Sequence, residues 1–209
     1  MPIELWLAFV AASTALLIIP GPTILLVLSY ALSQGRRVAV ASATGVALGD
    51  FVAMSASLAG LGALVSASAS AFTVLKWIGA AYLVWLGVKL LRSAPKGGLA
   101  LPDAPEGIEA GRIFWHAAAV TALNPKSIAF FIAFVPQFVT AGQPLLPQFA
   151  VLIATFVGLA ALNALAYALL ADRLRRTIRQ PGVIAWMTRT GGAALIGMGV
   201  MTASLQRAS

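Results

Sequence analysis

Two proline-centred motifs carry most of the chemical information in this sequence. Pro20-Gly21-Pro22 lies inside an apolar run from about Leu5 to Leu32, and Asn124-Pro125-Lys126 interrupts a second run from about Ile113 to Val139. A helix in lipid satisfies its own backbone polar groups, so such breaks persist only where neighbouring protein or a polar cavity bonds the freed groups. Freed carbonyls suit an ammonium group, and the N-terminus of the following half-helix suits a carboxylate. The motifs therefore predict a binding site for a small solute near the bilayer midplane.

Asp50 is the carboxylate nearest the middle of an apolar run. A charged group at that depth costs several kcal/mol unless it is paired, protonated or facing water. We expect Asp50 to couple transport to protons or to bind a substrate amine. The alternative is a carboxyl that ties helices together, either by accepting a hydrogen bond or by pairing with Lys126.

Lys126 follows the second break and is expected in the first turn of a half-helix. A cation is unfavourable there because the helix dipole is positive at its N-terminus, and an anion such as the carboxylate of an amino acid would relieve the conflict. A permanent ion pair with Asp50 is the alternative. Asn124 can cap the same half-helix or bind substrate. The candidate substrate site comprises Pro20, Gly21, Pro22, Thr23, Asn124, Pro125, Lys126 and Asn163.

The composition indicates an integral membrane protein. Sixty per cent of the residues are hydrophobic, 10% are charged and the mean hydropathy is +0.94, whereas about a quarter of a soluble domain is charged. The net charge of +8 comes from basic residues beside apolar runs, which does not indicate a nucleic-acid partner. The chain has no cysteine, which excludes a disulfide framework and a dithiol relay. We expect no metal and no cofactor.

Six apolar segments are long enough to cross a bilayer of about 30 Å. They form two halves, 1–92 and 113–209, joined by a Pro- and Gly-rich linker at 93–112, all within one transporter domain. The predicted spans are Leu5–Leu32, Val38–Val65, Phe72–Leu91, Ile113–Val139, Gln148–Ala171 and Val183–Leu205.

Basic residues mark every second connection between these spans. The connections at 66–71 and 140–147 have none, whereas the first, third and fifth hold or border Arg36, Arg37, Lys89, Arg92, Lys96, Arg112, Arg173, Arg175, Arg176 and Arg179. The positive-inside rule places these three connections in the cytoplasm and both termini outside. The basic cluster of the fifth connection also suits contact with anionic membrane lipids.

The two halves resemble each other weakly in sequence. Trp77–Val88 aligns with Arg189–Val200, and Gly45 precedes Asp50 by the same interval as Gly158 precedes Asn163. Each half has an odd number of spans, so a duplication would place the second half upside down relative to the first. We therefore predict an all-α membrane protein with two inverted three-helix repeats, in which spans one and four are broken.

The order of motifs along the chain is similar to that of the LysE/RhtB family of bacterial amino-acid exporters. The motifs are Pro20-Gly21-Pro22, Leu32-Ser33-Gln34-Gly35-Arg36-Arg37, Gly45-Val46-Ala47-Leu48-Gly49-Asp50, Gly79-Ala80-Ala81-Tyr82-Leu83, Asn124-Pro125-Lys126 and Phe134-Val135-Pro136-Gln137-Phe138. The family often has Asp or Asn after Pro-Gly-Pro, where this chain has Thr23. The resemblance implies a multi-pass protein of the bacterial inner membrane that exports amino acids or their derivatives.

These observations favour a secondary active transporter, with proton antiport as the expected coupling, over an enzyme. Its expected partners are an amino-acid-like substrate, protons and membrane lipids, and a homo-oligomer is compatible with the sequence. Direct ATP hydrolysis is disfavoured because no phosphate-binding Gly-rich loop ending in Lys-Ser/Thr is present. The alternative is an exporter of another small solute or of a metal cation on the same fold.

Overall fold

The computed structural model describes residues 1–67, 69–92, 107–140, 143–171, 173 and 181–205. Residues 93–106 of the linker predicted at 93–112 lie outside the described part of the chain. Arg175, Arg176 and Arg179 also lie outside it. Helices are the only regular secondary structure in the described part. Its eight α-helices are α1 Ile3–Ile18, α2 Pro22–Gln34, α3 Ala39–Ala67, α4 Ala69–Arg92, α5 Ala110–Ala122, α6 Pro125–Ala133, α7 Leu145–Leu169 and α8 Pro181–Leu205.

Both helix breaks fall at the proline motifs. The axis bends by 56° between α1 and α2 and by 46° between α5 and α6. Ile19 and Asn124 each precede a proline and adopt extended backbone, with ψ of 115° and 110°, because the proline ring disfavours helical geometry in the residue before it. Pro22 and Pro125 then begin the next helix, a position that needs no intrahelical N–H.

Up to four membrane spans can be recognised in the described residues by length and hydropathy. Ala39–Ala63 of α3 and Leu145–Leu169 of α7 qualify singly, and each bent pair qualifies as one broken span. The third and sixth predicted spans correspond to α4 and α8, which fall outside this set. The arrangement of six spans therefore stays a prediction.

Glycines allow close approach of α3 to α5. A Cβ added at Gly49 would lie 2.5 Å from the Ala118 carbonyl oxygen, and one added at Gly45 would collide with the Phe114 carbonyl oxygen. Small residues let helix backbones pack closely in lipid, where van der Waals contact replaces the hydrophobic effect as the source of association. This contact fixes α3, and with it Asp50, against the helix that leads into the second break.

Aromatic rings hold α6 in place on its other side. Six buried phenylalanines pack together, with ring centroids 4.8 Å apart for Phe131 and Phe156 and 5.2 Å apart for Phe9 and Phe138. They belong to α1, α6, α7 and the 3-10 turn Val135–Phe138. Edge-to-face aromatic packing of this kind adds stability beyond the area that it buries. The short helix that carries Lys126 is thus anchored against both α1 and α7.

Candidate functional site

A small cavity lies between the two breaks. It measures about 30 Å³ and is lined by Leu16, Leu17, Ile19, Gly21, Thr23, Ile24, Val46, Asp50, Asn124, Lys126, Ser127, Ala160 and Asn163. Six of the nine residues predicted for the site therefore share one space: Gly21, Thr23, Asp50, Asn124, Lys126 and Asn163. The two breaks therefore approach each other, and Asp50 faces the space between them.

The three prolines shape this cavity without lining it. Pro20 and Pro22 cannot donate the backbone hydrogen bonds that the carbonyls of Leu16 and Ile18 would receive in a continuous helix. Pro125 lies instead along a separate apolar groove between α4 and α6, beside Tyr82. The prolines thus leave carbonyls at the end of α1 without helical partners. Other side chains must donate hydrogen bonds to these carbonyls.

Three side chains bond the last carbonyls of the first half-helix. Lys126 Nζ donates to Leu16 O and to Ile19 O, at 2.8 Å each. Asn163 Nδ2 donates to Leu17 O at 3.0 Å, and the Tyr167 hydroxyl donates to Ile18 O at 2.8 Å. All four carbonyls at residues 16–19 are therefore satisfied from α6 and α7, as buried backbone groups require.

The structure gives Lys126 hydrogen-bond partners that neither sequence-based hypothesis named. Its ammonium group bonds the freed carbonyls of α1, which were expected to suit a substrate amine, and it does so in place of a hydrogen-bonded pair with Asp50. The two carbonyls compensate the positive charge that is unfavourable at the start of α6. The chain thus supplies its own ammonium to the first break.

Asn124 joins the two breaks directly. Its side-chain oxygen accepts a hydrogen bond from the Lys126 backbone N–H at 3.1 Å, which is the cap expected for α6. Its amide nitrogen also donates to Thr23 Oγ1 at 3.1 Å, and Thr121 Oγ1 donates to the same oxygen at 3.3 Å. Thr23 therefore belongs to a buried polar network that fixes the starts of α2 and α6 relative to each other.

Asp50 faces the cavity from α3 and is 2% exposed. Its Oδ1 atom has no hydrogen-bond partner within the described part of the chain. Asp50 and Lys126 are the ionisable side chains among the lining residues, and they interact electrostatically. Buried polar atoms nearly always have a partner, so an unpartnered carboxylate oxygen in a polar cavity calls for an explanation.

Comparison with known proteins decides the family. The model of the LysE type translocator matches residues 14–205. The homoserine/homoserine lactone efflux proteins of Salmonella typhimurium and Salmonella typhi are each 35% identical over 208 residues, which is the full length of both chains. An uncharacterized membrane protein of Vibrio cholerae is 34% identical over 204 residues, or 98% of each chain. No solved structure matches. The chain belongs to the LysE type translocators.

As a member of this family, the protein is a transporter and not an enzyme, which confirms the resemblance found in the motifs. The match extends over both breaks and over the cavity between them. The described residues of this translocator do not bring three or more His, Cys, Asp or Glu side chains close enough together to hold a metal ion.

The polar residues Tyr167 and Ser127 were among those of the translocator's site that the sequence analysis missed. Tyr167 bonds the first break and Ser127 lines the cavity beside Lys126. Tyr167 follows Asn163 by one helical turn, so the two side chains share a face of α7, and this spacing was the available signal. Ser127 offered no signal beyond its place next to Lys126.

Proposed function

We propose that this translocator exports an amino acid or a close derivative across the bacterial cytoplasmic membrane in exchange for protons. One observation carries the proposal: a cavity between two helix breaks holds an ammonium on backbone carbonyls and, beside it, a buried carboxylate with an unpartnered oxygen. Discontinuous helices provide such charge-complementary sites in many secondary transporters. The family match and the efflux function of the two Salmonella relatives support the same proposal.

The substrate group recognised at the first break is, in this proposal, a primary ammonium. The names of the Salmonella relatives give homoserine and homoserine lactone. These two compounds share a primary amine, but ring closure removes the free carboxylate from the lactone. A site that accepts both compounds must recognise the ammonium group. The carbonyls of Leu16 and Ile19 already bind one ammonium group, that of Lys126.

Asp50 provides the coupling to protons. A carboxyl buried at this depth is tolerated as the neutral acid or beside a cation, and is costly as a lone anion. Asp50 would release its proton to the cytoplasm when substrate brings a second cation into the cavity, and would take up a proton from outside after the substrate has left. One substrate leaves for each proton that returns.

We also propose the inverted repeat of six spans as the frame for this exchange. The breaks lie at corresponding places in the two halves, and the matched residues Asp50 and Asn163 line the same cavity. In addition, α3 packs along α7 and α4 packs along α8, so each helix contacts its proposed counterpart. Pairing across a pseudo-two-fold axis is the arrangement that lets two halves rock around a fixed central site.

We expect both termini outside the cell and the segment 93–112 inside it. The basic residues of the first, third and fifth connections support this orientation. Fusions of an alkaline phosphatase, active only in the periplasm, and of a fluorescent protein, active only in the cytoplasm, should report opposite sides for the C-terminus and the segment. A cytoplasmic C-terminus would overturn either the span count or the orientation.

Tolerance profiling tests the export itself. A sensitive bacterial strain that expresses the chain should grow at higher concentrations of a narrow set of amino acids or derivatives with a free primary amine. The N-acetylated forms of the same compounds, which have no ammonium, should give no advantage. An equal gain in tolerance for the acetylated compounds would contradict recognition of the ammonium, and no gain for any primary amine would contradict export.

A further inference from the structure

We propose that Lys126 is a built-in competitor for the substrate's ammonium. Its Nζ donates hydrogen bonds to the carbonyls of the first break. The ammonium group of an arriving substrate must displace Nζ before the substrate can bind there. This inference rests on the proposed function for the identity of the arriving group. It assigns to Lys126 a role opposite to that of a lysine that attracts a substrate carboxylate.

The contacts of Lys126 are those of a bound ammonium. Two of its three N–H donors are used by Leu16 O and Ile19 O, both at 2.8 Å. A Cβ placed at Gly21 would lie 3.5 Å from Lys126 Cδ and 3.7 Å from Nζ, so the lysine stem runs alongside the backbone of the break. The side chain thus enters the first break from α6 much as a free alkylammonium would.

The size of the cavity requires the lysine to move. A volume of about 30 Å³ holds one or two water molecules, whereas pockets for small organic ligands measure roughly 300 Å³ or more. Half of the other lining residues sit on α1, α3 or α7, and α7 packs against both α1 and α3. Lys126 is partly exposed and has a long flexible side chain, so it is the part of the wall that can withdraw at least cost.

The displaced ammonium has a destination in the same cavity. Two ammonium groups on the same carbonyls would repel each other strongly in this poorly screened space, so the two occupants exclude one another. Asp50 Oδ1 has no hydrogen-bond partner in the described residues and interacts electrostatically with Lys126. Movement of Lys126 to Asp50 would favour loss of the Asp50 proton, and its return to the carbonyls would leave Asp50 to take up another. Displacement of the lysine thereby links substrate binding to proton release.

Chemical rescue tests whether the carbonyls of Leu16 and Ile19 bind a free ammonium group, and it requires no knowledge of the substrate. Lys126→Ala removes the equivalent of propylammonium, so propylammonium chloride should restore much of the thermal stability lost by the purified variant. Propanol, which has the same length and no charge, should not. Lys89→Ala is the matched control, because Lys89 lies 5.0 Å from the Trp85 ring on its own helix and away from the cavity. Equal effects of propylammonium on both variants would overturn the inference.

Binding of homoserine lactone tests the competition and also covers the case in which Lys126→Ala does not fold. Lys126→Met fills similar space without charge and should bind the lactone about tenfold more tightly than the unsubstituted chain, because the ligand no longer displaces charge-assisted hydrogen bonds. Lys89→Met should bind as the unsubstituted chain does. Weaker binding by Lys126→Met would overturn the inference. Rescue by propylammonium without any lactone binding would support the inference and contradict homoserine lactone as a substrate.

Discussion

Replacing Asp50 with Asn is expected to abolish export driven by a pH gradient while leaving part of the substrate exchange. The amide keeps the shape of the protonated carboxyl but can neither release nor accept the coupling proton. The amide also offers no negative charge to a cation in the cavity. The substitution thus removes one of the two ionisable side chains that line the cavity. In membrane vesicles, gradient-driven flux should fall to the level of vesicles without the protein.

Glu4→Gln is the matched control for this substitution. Glu4 lies in the first turn of α1 and is exposed. Its substitution therefore removes an equal charge at a place away from the cavity. Flux should be unchanged in this variant. Undiminished gradient-driven flux in Asp50→Asn would make Asp50 a structural residue and would place the coupling elsewhere in the chain.

The second large effect is expected where α3 meets α5. In Gly49→Ala the new Cβ would lie 2.5 Å from the Ala118 carbonyl oxygen and 2.6 Å from Thr121 Cβ, so backbone must shift to admit it. Overpacking of this kind costs roughly 1–3 kcal/mol and sometimes more. Because Asp50 is the next residue, the shift should also impair transport. Unfolding of the purified protein in detergent, followed by circular dichroism, measures the loss.

Gly60→Ala provides the comparison on the same helix. No atom lies within 4 Å of a Cβ placed there, and the residue is exposed. This variant should be as stable as the unsubstituted chain or slightly more stable, because alanine favours helix more than glycine does. Equal stability of Gly49→Ala and Gly60→Ala would contradict the close approach of α3 to α5.

The positions of the breaks and of Asp50 could be predicted because local chemistry determines them. Proline removes a backbone donor wherever it occurs, and a lone carboxylate in an apolar run has few tolerable environments. The spacing of Gly45 and Gly49 by one helical turn is also a local signal, because small residues at this spacing form a face for close helix packing. None of these inferences required knowledge of which helices become neighbours.

The partner of Lys126 could not be predicted for the opposite reason. A lysine side chain is long and flexible, and both the carboxylate of Asp50 and the carbonyls of α1 were acceptable partners. The choice depends on the distance between segments 107 and 110 residues apart in sequence. Tyr167 was missed because an aromatic residue in a membrane helix is usually a packing or interfacial residue. Its hydrogen bond to Ile18 O becomes visible only when α7 lies beside the break.

The pairing of α4 with α8 was also beyond local prediction, because it joins helices from the two halves of the chain. Gly87 and Gly192 meet there so closely that a Cβ on either would lie within 2.7 Å of the other's carbonyl oxygen. Small residues of this kind let two helix backbones pack closely in lipid.

The most direct test of proton-coupled export is proton movement driven by substrate alone. Vesicles containing the purified protein are loaded with homoserine, diluted into medium without substrate at equal pH, and followed with a dye that reports the internal pH. Outward flow of substrate should acidify the interior with the unsubstituted chain and should leave it unchanged with Asp50→Asn. Substrate efflux from the unsubstituted chain with no change in internal pH would contradict the exchange of substrate for protons.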